Sequence, residues 1–183
     1  MYGMVHQALE DMVVEHAGRD AWNDICEQAG SSTATFPSLS SFPDELTVGL
    51  VVASADRLGR PVDQMLVEFG RRWVGFALTT AYGPLLRESG DDVLATLRSL
   101  DGLHARVAVA LPELRPPSFN VVGEAPTVTV EYYSPRDGLA DFVVGLLHGL
   151  GDMHGVDVEV VHTLAKGEAA DHDEFTVSVA AGL

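Results

Sequence analysis

The chain reads as an α+β protein: apolar residues recur every three or four positions through its first two thirds and every second position in its last third. Tyr2, Val5, Leu9, Met12, Val13 and His16 mark a first helical stripe, which Gly18 ends, and a short helix follows from Asp20 to Gln28. Gly30 to Phe42, rich in Ser, Thr and Pro, is a loop within one domain, held on the body by Phe36, Leu39 and Phe42. Pro43, Asp44 and Glu45 suit a helix's first turn, because carboxylates favour the positive end of its dipole; Leu46, Leu50, Ala53 and Leu58 continue it. The next helix opens near Pro61 and carries Val62, Met65, Leu66, Phe69, Trp73 and Phe76 on one face, so Trp73 points inward. From Asp91 to Leu111, the residues Val93, Leu97, Leu100, His104, Val107 and Leu111 keep the helical step, which puts His104 at a core position. The pattern changes after Pro112, and Pro116-Pro117 closes the helical half. Thr127 to Ser134 alternates as a strand; Asp137 caps a helix striped by Leu139, Phe142, Val143, Leu146, Leu147, Leu150 and Met153. Val156 to His162 and Glu174 to Ala180 alternate again and complete a small antiparallel sheet.

Composition narrows the function classes. With 183 residues, 46% hydrophobic and 21% charged, the chain fits one globular domain and not a disordered one. It contains no apolar run of the roughly 20 residues that cross a bilayer, and Met1 to Glu10 lacks a basic flank and cleavage site, so a cytoplasmic, membrane-free protein is expected. A formal charge of −16 repels phosphate backbones and makes nucleic acid an unsuitable partner. Cys26, the one cysteine, shares an apolar stripe with Trp22, Ile25 and Ala29 and reads as core filler. Lys166 is the one lysine, and between Pro116 and Ala165 the single cation is Arg136.

Two features can carry chemistry, and each has a plain alternative. His104 on a helical core face is either a neutral ring hydrogen-bonded to a backbone carbonyl or an axial ligand to haem iron, walled by Leu100, Leu103 and Val107. Tyr132, Ser134 and Arg136 share one face of extended chain, with the first and third roughly 13 Å apart. Pro135 cannot join a ladder, so the strand frays and leaves Arg136 to reach inward. This row either grips a bulky apolar ligand with two carboxylates or is a strand end with a surface arginine.

Taken together, these residues resemble the heme nitric oxide/oxygen-binding (H-NOX) family, relatives of the haem domain of soluble guanylate cyclase. The likeness runs through Met1-Tyr2-Gly3-Met4-Val5, Glu10-Asp11, Val13-Val14-Glu15, Phe42-Pro43-Asp44-Glu45 and Leu103-His104. It continues through Arg115-Pro116-Pro117-Ser118-Phe119, Tyr132-Tyr133-Ser134-Pro135-Arg136 and Gly145-Leu146-Leu147-His148-Gly149. The resemblance implies haem b between a helical distal lobe, about residues 1–60, and a proximal lobe, about 61–183, with a four-stranded antiparallel sheet. It implies His104 as the iron ligand, Tyr132, Ser134 and Arg136 as the propionate clamp, and Pro117 as the residue that bends the macrocycle.

The family divides by what faces the open side of the iron. Oxygen-holding members place a tyrosine in the distal pocket, and this sequence puts Phe142 there. Trp73 falls where a second polar group can sit, either donating through its indole or packing; Val5, Leu9 and Leu146 complete an apolar wall. The resemblance therefore implies a nitric oxide sensor, with carbon monoxide as a second gaseous ligand, that signals through rupture of the iron bond to His104 and converts nothing chemically. The chain ends at Ala181-Gly182-Leu183, so the output is expected in a separate histidine kinase or cyclic-di-GMP enzyme. The rival readings are an oxygen-binding or redox-responsive haem sensor, using Trp73 or His6, and a haem-free regulatory module. Asp171 to Glu174 reads as a solvated turn, and His148 with Asp152 as an exposed pair.

Overall fold

Helical spacing and alternation become six helices and four strands in the computed structural model, which describes residues 1–111 and 113–180. Pro112, where the pattern changes, and the terminal Ala181-Gly182-Leu183 lie outside the described residues. The first two thirds form α1 (Gly3–Gln28), α2 (Asp44–Leu58), α3 (Val62–Thr79), α4 (Gly83–Arg87) and α5 (Val93–Ala110). The remainder forms β1 (Ser118–Glu124), β2 (Thr127–Tyr133), α6 (Ala140–His154), β3 (Val158–Leu164) and β4 (Asp173–Val179). Gly18 breaks α1 into two helical pieces by adopting φ 83°, ψ 171°. At the start of α5, the Asp92 carboxylate accepts the Ala95 amide at 2.8 Å, an N-cap that satisfies one of the helix's orphan donors.

The sheet is antiparallel throughout, in the order β1-β2-β4-β3. Its inner face sets Phe119 opposite Tyr132 and Val130 opposite Phe175. That face closes a core with Leu97 and Leu100 of α5 and Val143, Leu147 and Leu150 of α6. A second core joins Leu9, Met12, Trp22 and Ile25 of α1 to Phe36, Leu50 of α2, and Met65 and Phe69 of α3. The helix α3 therefore serves both cores, since its Val74 belongs to the sheet side.

Glycines set how α3 and α6 meet. A Cβ at Gly145 would lie 1.9 Å from the Val67 carbonyl oxygen, and one at Gly70 would lie 2.0 Å from that of Phe142. Only residues without a side chain permit that approach, and it holds Phe142 and Leu146 beside α3.

The fold class is the one the spacing predicts, with local corrections. Leu39 does not pack; it is 68% exposed, and Phe36 alone anchors the loop deeply, at 1%. Val62 lies exposed at the start of α3. Asp137 does not cap α6, whose N-cap is Leu139; its carboxylate instead pairs with Lys166 at 2.7 Å. Asp152 is held by Arg71 through two contacts of 2.5 and 2.6 Å, because α3 crosses beside that turn of α6, and not by His148. Asp173 and Glu174 open β4 instead of forming a turn.

Candidate functional site

His104 lies three turns into α5, where the helix leaves the buried stretch that ends at Leu103. Its ring lies nearly parallel to that of Phe119, with centroids 5.8 Å apart and 16° between planes. The Nδ1 atom is buried with no hydrogen-bond partner among the described residues. The backbone carbonyl that a structural core histidine would use is therefore not engaged there. Burial pushes the imidazole's pKa down, and the nearby Asp101 carboxylate opposes this only in part, so the ring is neutral near pH 7. Neutral imidazole is the form that binds a metal.

Asp101, one turn before His104, joins α5 to the start of β1. Its carboxylate accepts the Phe119 amide at 2.7 Å and the Ser118 hydroxyl at 2.9 Å. Pro117, half-buried and one residue before β1, is thereby fixed beside the same helix. A second tie runs from Thr96, fully buried on α5, to His154 Nε2 of α6 at 2.9 Å.

Tyr132, Ser134 and Arg136 follow along and beyond β2. Tyr132 is buried against Phe119, centroids 5.3 Å apart. Burial pushes its phenol pKa up, while the Ser134 hydroxyl and the Arg136 and Lys166 cations pull the other way. The Ser134 hydroxyl accepts the Arg136 amide at 3.1 Å. Arg136 is not left unpaired as its position after Pro135 predicts. Its Nε donates to Asp44 of α2 at 2.9 Å and its Nη1 to the Arg115 carbonyl at 2.8 Å. Asp44, 92 residues away in sequence and also bonded by the Met1 nitrogen at 2.8 Å, thus links the α1–α2 side to the clamp segment. The guanidinium and Met1 ammonium hold the Asp44 carboxyl below its ordinary range despite its burial.

The residues expected on the distal side divide between the cores. Leu9 is fully buried in the helical core, and Phe142 packs on it with its ring 5.2 Å from Phe69. Leu146 packs against the sheet core. Trp73 is half-buried and stacked on Phe76 at 5.9 Å. A third apolar cluster brings Val5, Trp73 and Phe76 together with Val107 and Leu111, so two of the expected distal residues, Val5 and Trp73, meet the end of the helix that carries His104. The sequence reading did not single out Thr47 or Asp101. His6 belongs to the helical core: its Nε2 bonds the Thr47 hydroxyl at 2.8 Å, and its ring meets Phe36 and Phe42 edge-on.

Burial, neutrality and an unpartnered nitrogen fit His104 to an iron porphyrin, and the Tyr132, Ser134 and Arg136 donors fit its acid side chains. The sequence matches the family model described as Haem-NO-binding over residues 2–162. It is 28% identical over 179 residues to soluble guanylate cyclase gcy-35 of Caenorhabditis elegans, covering 96% of this chain and 26% of that protein. Against soluble guanylate cyclase 89Db of Drosophila melanogaster it is 22% identical, covering 86% of this chain and 24% of that one. The chain thus spans about a quarter of the length of these relatives. The crystal structure of an H-NOX protein from S. oneidensis in the Fe(II)NO state superposes with a TM-score of 0.87 at 23% identity, covering 98% of this chain and 99% of that one. The unliganded Fe(II) H-NOX protein from K. algicida gives 0.85 at 20% identity, covering 100% of this chain and 98% of that chain. The fold is that of those proteins, and the chain belongs to the haem-NO-binding, or H-NOX, family of haem-based gas-sensor domains.

Proposed function

We propose that this chain senses nitric oxide through haem b held by His104, discriminates against oxygen, and passes the signal to a separate protein. The observation that carries the reading is the neutral, half-buried His104 imidazole of α5, its ring against Phe119, which packs in turn on Tyr132. Bound haem would supply a ferrous iron atom able to take a diatomic gas.

The chain's own residues account for the rest. Arg136 and the Tyr132 and Ser134 hydroxyls would hold the two carboxylates, and Pro117, fixed through Asp101, would press on the macrocycle. Retention of dioxygen at ferrous iron gains from a side-chain donor, whereas nitric oxide and carbon monoxide are held without one. Val5, Leu9, Phe142 and Leu146 carry no such donor, and Trp73 packs face to face with Phe76. A helix α5 relieved of its hold on haem through His104 would pass its shift to β1 and α6 through the ties at Asp101 and Thr96. The Asp44–Arg136 pair ties the segment after β2 to the start of α2. The proposed lobes are residues 1–60 and 61–183, with α3 shared between their cores.

The proposed output is a histidine kinase or a cyclic-di-GMP enzyme in the cytoplasm, with no nucleic acid or membrane partner. The −16 charge opposes a nucleic-acid partner, and no helix among the described residues is long and apolar enough to cross a membrane. The test is the electronic spectrum of the reduced, haem-loaded protein in air, then under nitric oxide and carbon monoxide. The reading expects a deoxy spectrum that air does not convert to a lasting oxygen complex, and distinct spectra with each of the other gases. A stable oxygen complex overturns the selectivity, and a colourless protein overturns the haem reading.

A further inference from the structure

The segment that carries the clamp leaves the sheet before the clamp is complete. Tyr133 is the last residue of β2 with a ladder partner, Pro135 has no amide hydrogen to donate, and Gly138 turns the chain at φ 73°. Ser134 to Asp137 must therefore be held by something other than strand pairing. The β3–β4 connection supplies it. Lys166 Nζ donates to the Ser134 carbonyl at 2.9 Å and to the Asp137 carboxylate at 2.7 Å. Lys166 is itself placed, because its amide donates to Asp173 at 3.0 Å and that same carboxylate oxygen contacts His162 Nε2 at 2.9 Å. The Gly167 amide closes the connection onto the Ala170 carbonyl at 2.9 Å.

We propose that Lys166 is a positioning residue for the Tyr132-Ser134-Arg136 row, fixing through the Ser134 carbonyl and Asp137 the turn from which Arg136 projects. This rests on the haem reading for its consequence and on the distances above for its geometry. An ordinary surface ion pair contributes little, but here the ammonium also bonds a backbone carbonyl in a stretch without a ladder. It adds a second cation to an edge where Asp44 already faces Arg136. Tyr132 registers both cations, each favouring the ionised phenol against burial.

The test compares Lys166→Met, which keeps the stem without a donor, with Lys166→Arg and with Asp137→Asn, which breaks the contact from the other side. In the haem-free chain, hydrogen exchange at the Arg136 and Asp137 amides should speed up about tenfold in Lys166→Met, the equivalent of one charge-assisted hydrogen bond. Haem transfer from the loaded protein to an acceptor apoprotein should accelerate by a similar factor. Lys166→Arg should restore both to within about twofold, and Asp137→Asn should fall between. Unchanged amide exchange in Lys166→Met overturns the proposal, as does faster exchange with haem transfer at the wild-type rate. A wild-type chain that takes up no haem overturns the sensor reading instead, and the exchange measurement still decides whether Lys166 holds the turn.

Discussion

The helical core holds a fully buried imidazole, His6, and the sheet side a half-buried one, His104, and the two are built differently. His6 is fully enclosed, bonded to Thr47 at 2.8 Å and bordered edge-on by Phe36 and Phe42 at 4.6 and 5.2 Å. His104 is half-buried and lies flat along Phe119, three residues before Val107, which joins a cluster with Val5, Trp73 and Phe76. Burial keeps both rings neutral, and both Nδ1 atoms lack a partner among the described residues, so neither charge nor that atom separates them. What separates them is enclosure. His6 completes a packed interior, whereas His104 lies against the Phe119 ring of β1 with no hydroxyl bound to it. The comparison teaches that a histidine on a helical stripe is sorted by its surroundings and not by its spacing.

Substitution should break the comparison most strongly at His104. Changing His104→Gly should abolish haem retention at purification while leaving the apo fold intact, and free imidazole should restore the absorption band. The complementary change His6→Ala should destabilise the fold by about 3 kcal/mol, through the cavity and the orphaned Thr47 hydroxyl, yet keep haem. Denaturant titration paired with the absorption spectrum separates the two outcomes.

Acid sharpens the same contrast. Burial, aided by the nearby N-terminal charge, lowers the His6 pKa from 6.5 to about 4, so the unfolded chain binds the extra proton between those values. The associated stability is complete above about pH 6.5 and is lost as pH falls towards 4, by at most about 3 kcal/mol. Denaturation midpoints measured across that window should slope in the wild type and flatten in a His6→Gln variant. A smaller effect is expected at the distal wall. Phe142→Tyr should raise oxygen affinity by roughly 10- to 150-fold, the worth of one hydrogen bond to a charged group, with nitric oxide binding little changed. Oxygen titration of the reduced protein reads this directly.

Much of this architecture was legible in the sequence because it obeys a period. The α5 stripe and the alternation of β2 and β4 follow from which face is buried, and the Tyr132-Ser134-Arg136 row follows from the pleat. β1 was not legible, because its exposed positions outnumber its buried ones and Phe119 is its one buried residue, with Val121 only partly buried. His6, expected only as a distal polar group, stands three and seven residues before Leu9 and Val13, both fully buried, and shares their core face, where it bonds Thr47. The contacts that make the candidate site, Asp44 with Arg136, Asp101 with Phe119 and Lys166 with Ser134, join distant segments. No local spacing encodes such contacts, and they become visible only once the helices and sheet are assembled.

The most direct test of the assignment of His104, and not His6, to iron is the iron–imidazole stretching band in the resonance Raman spectrum of the reduced protein carrying ring-¹⁵N histidine. The account predicts an isotope-shifted band in the wild type and in His6→Ala, and in His104→Gly a band that returns only with added unlabelled imidazole and without the shift. A shifted band that survives His104→Gly, or vanishes in a folded His6→Ala protein, would contradict it.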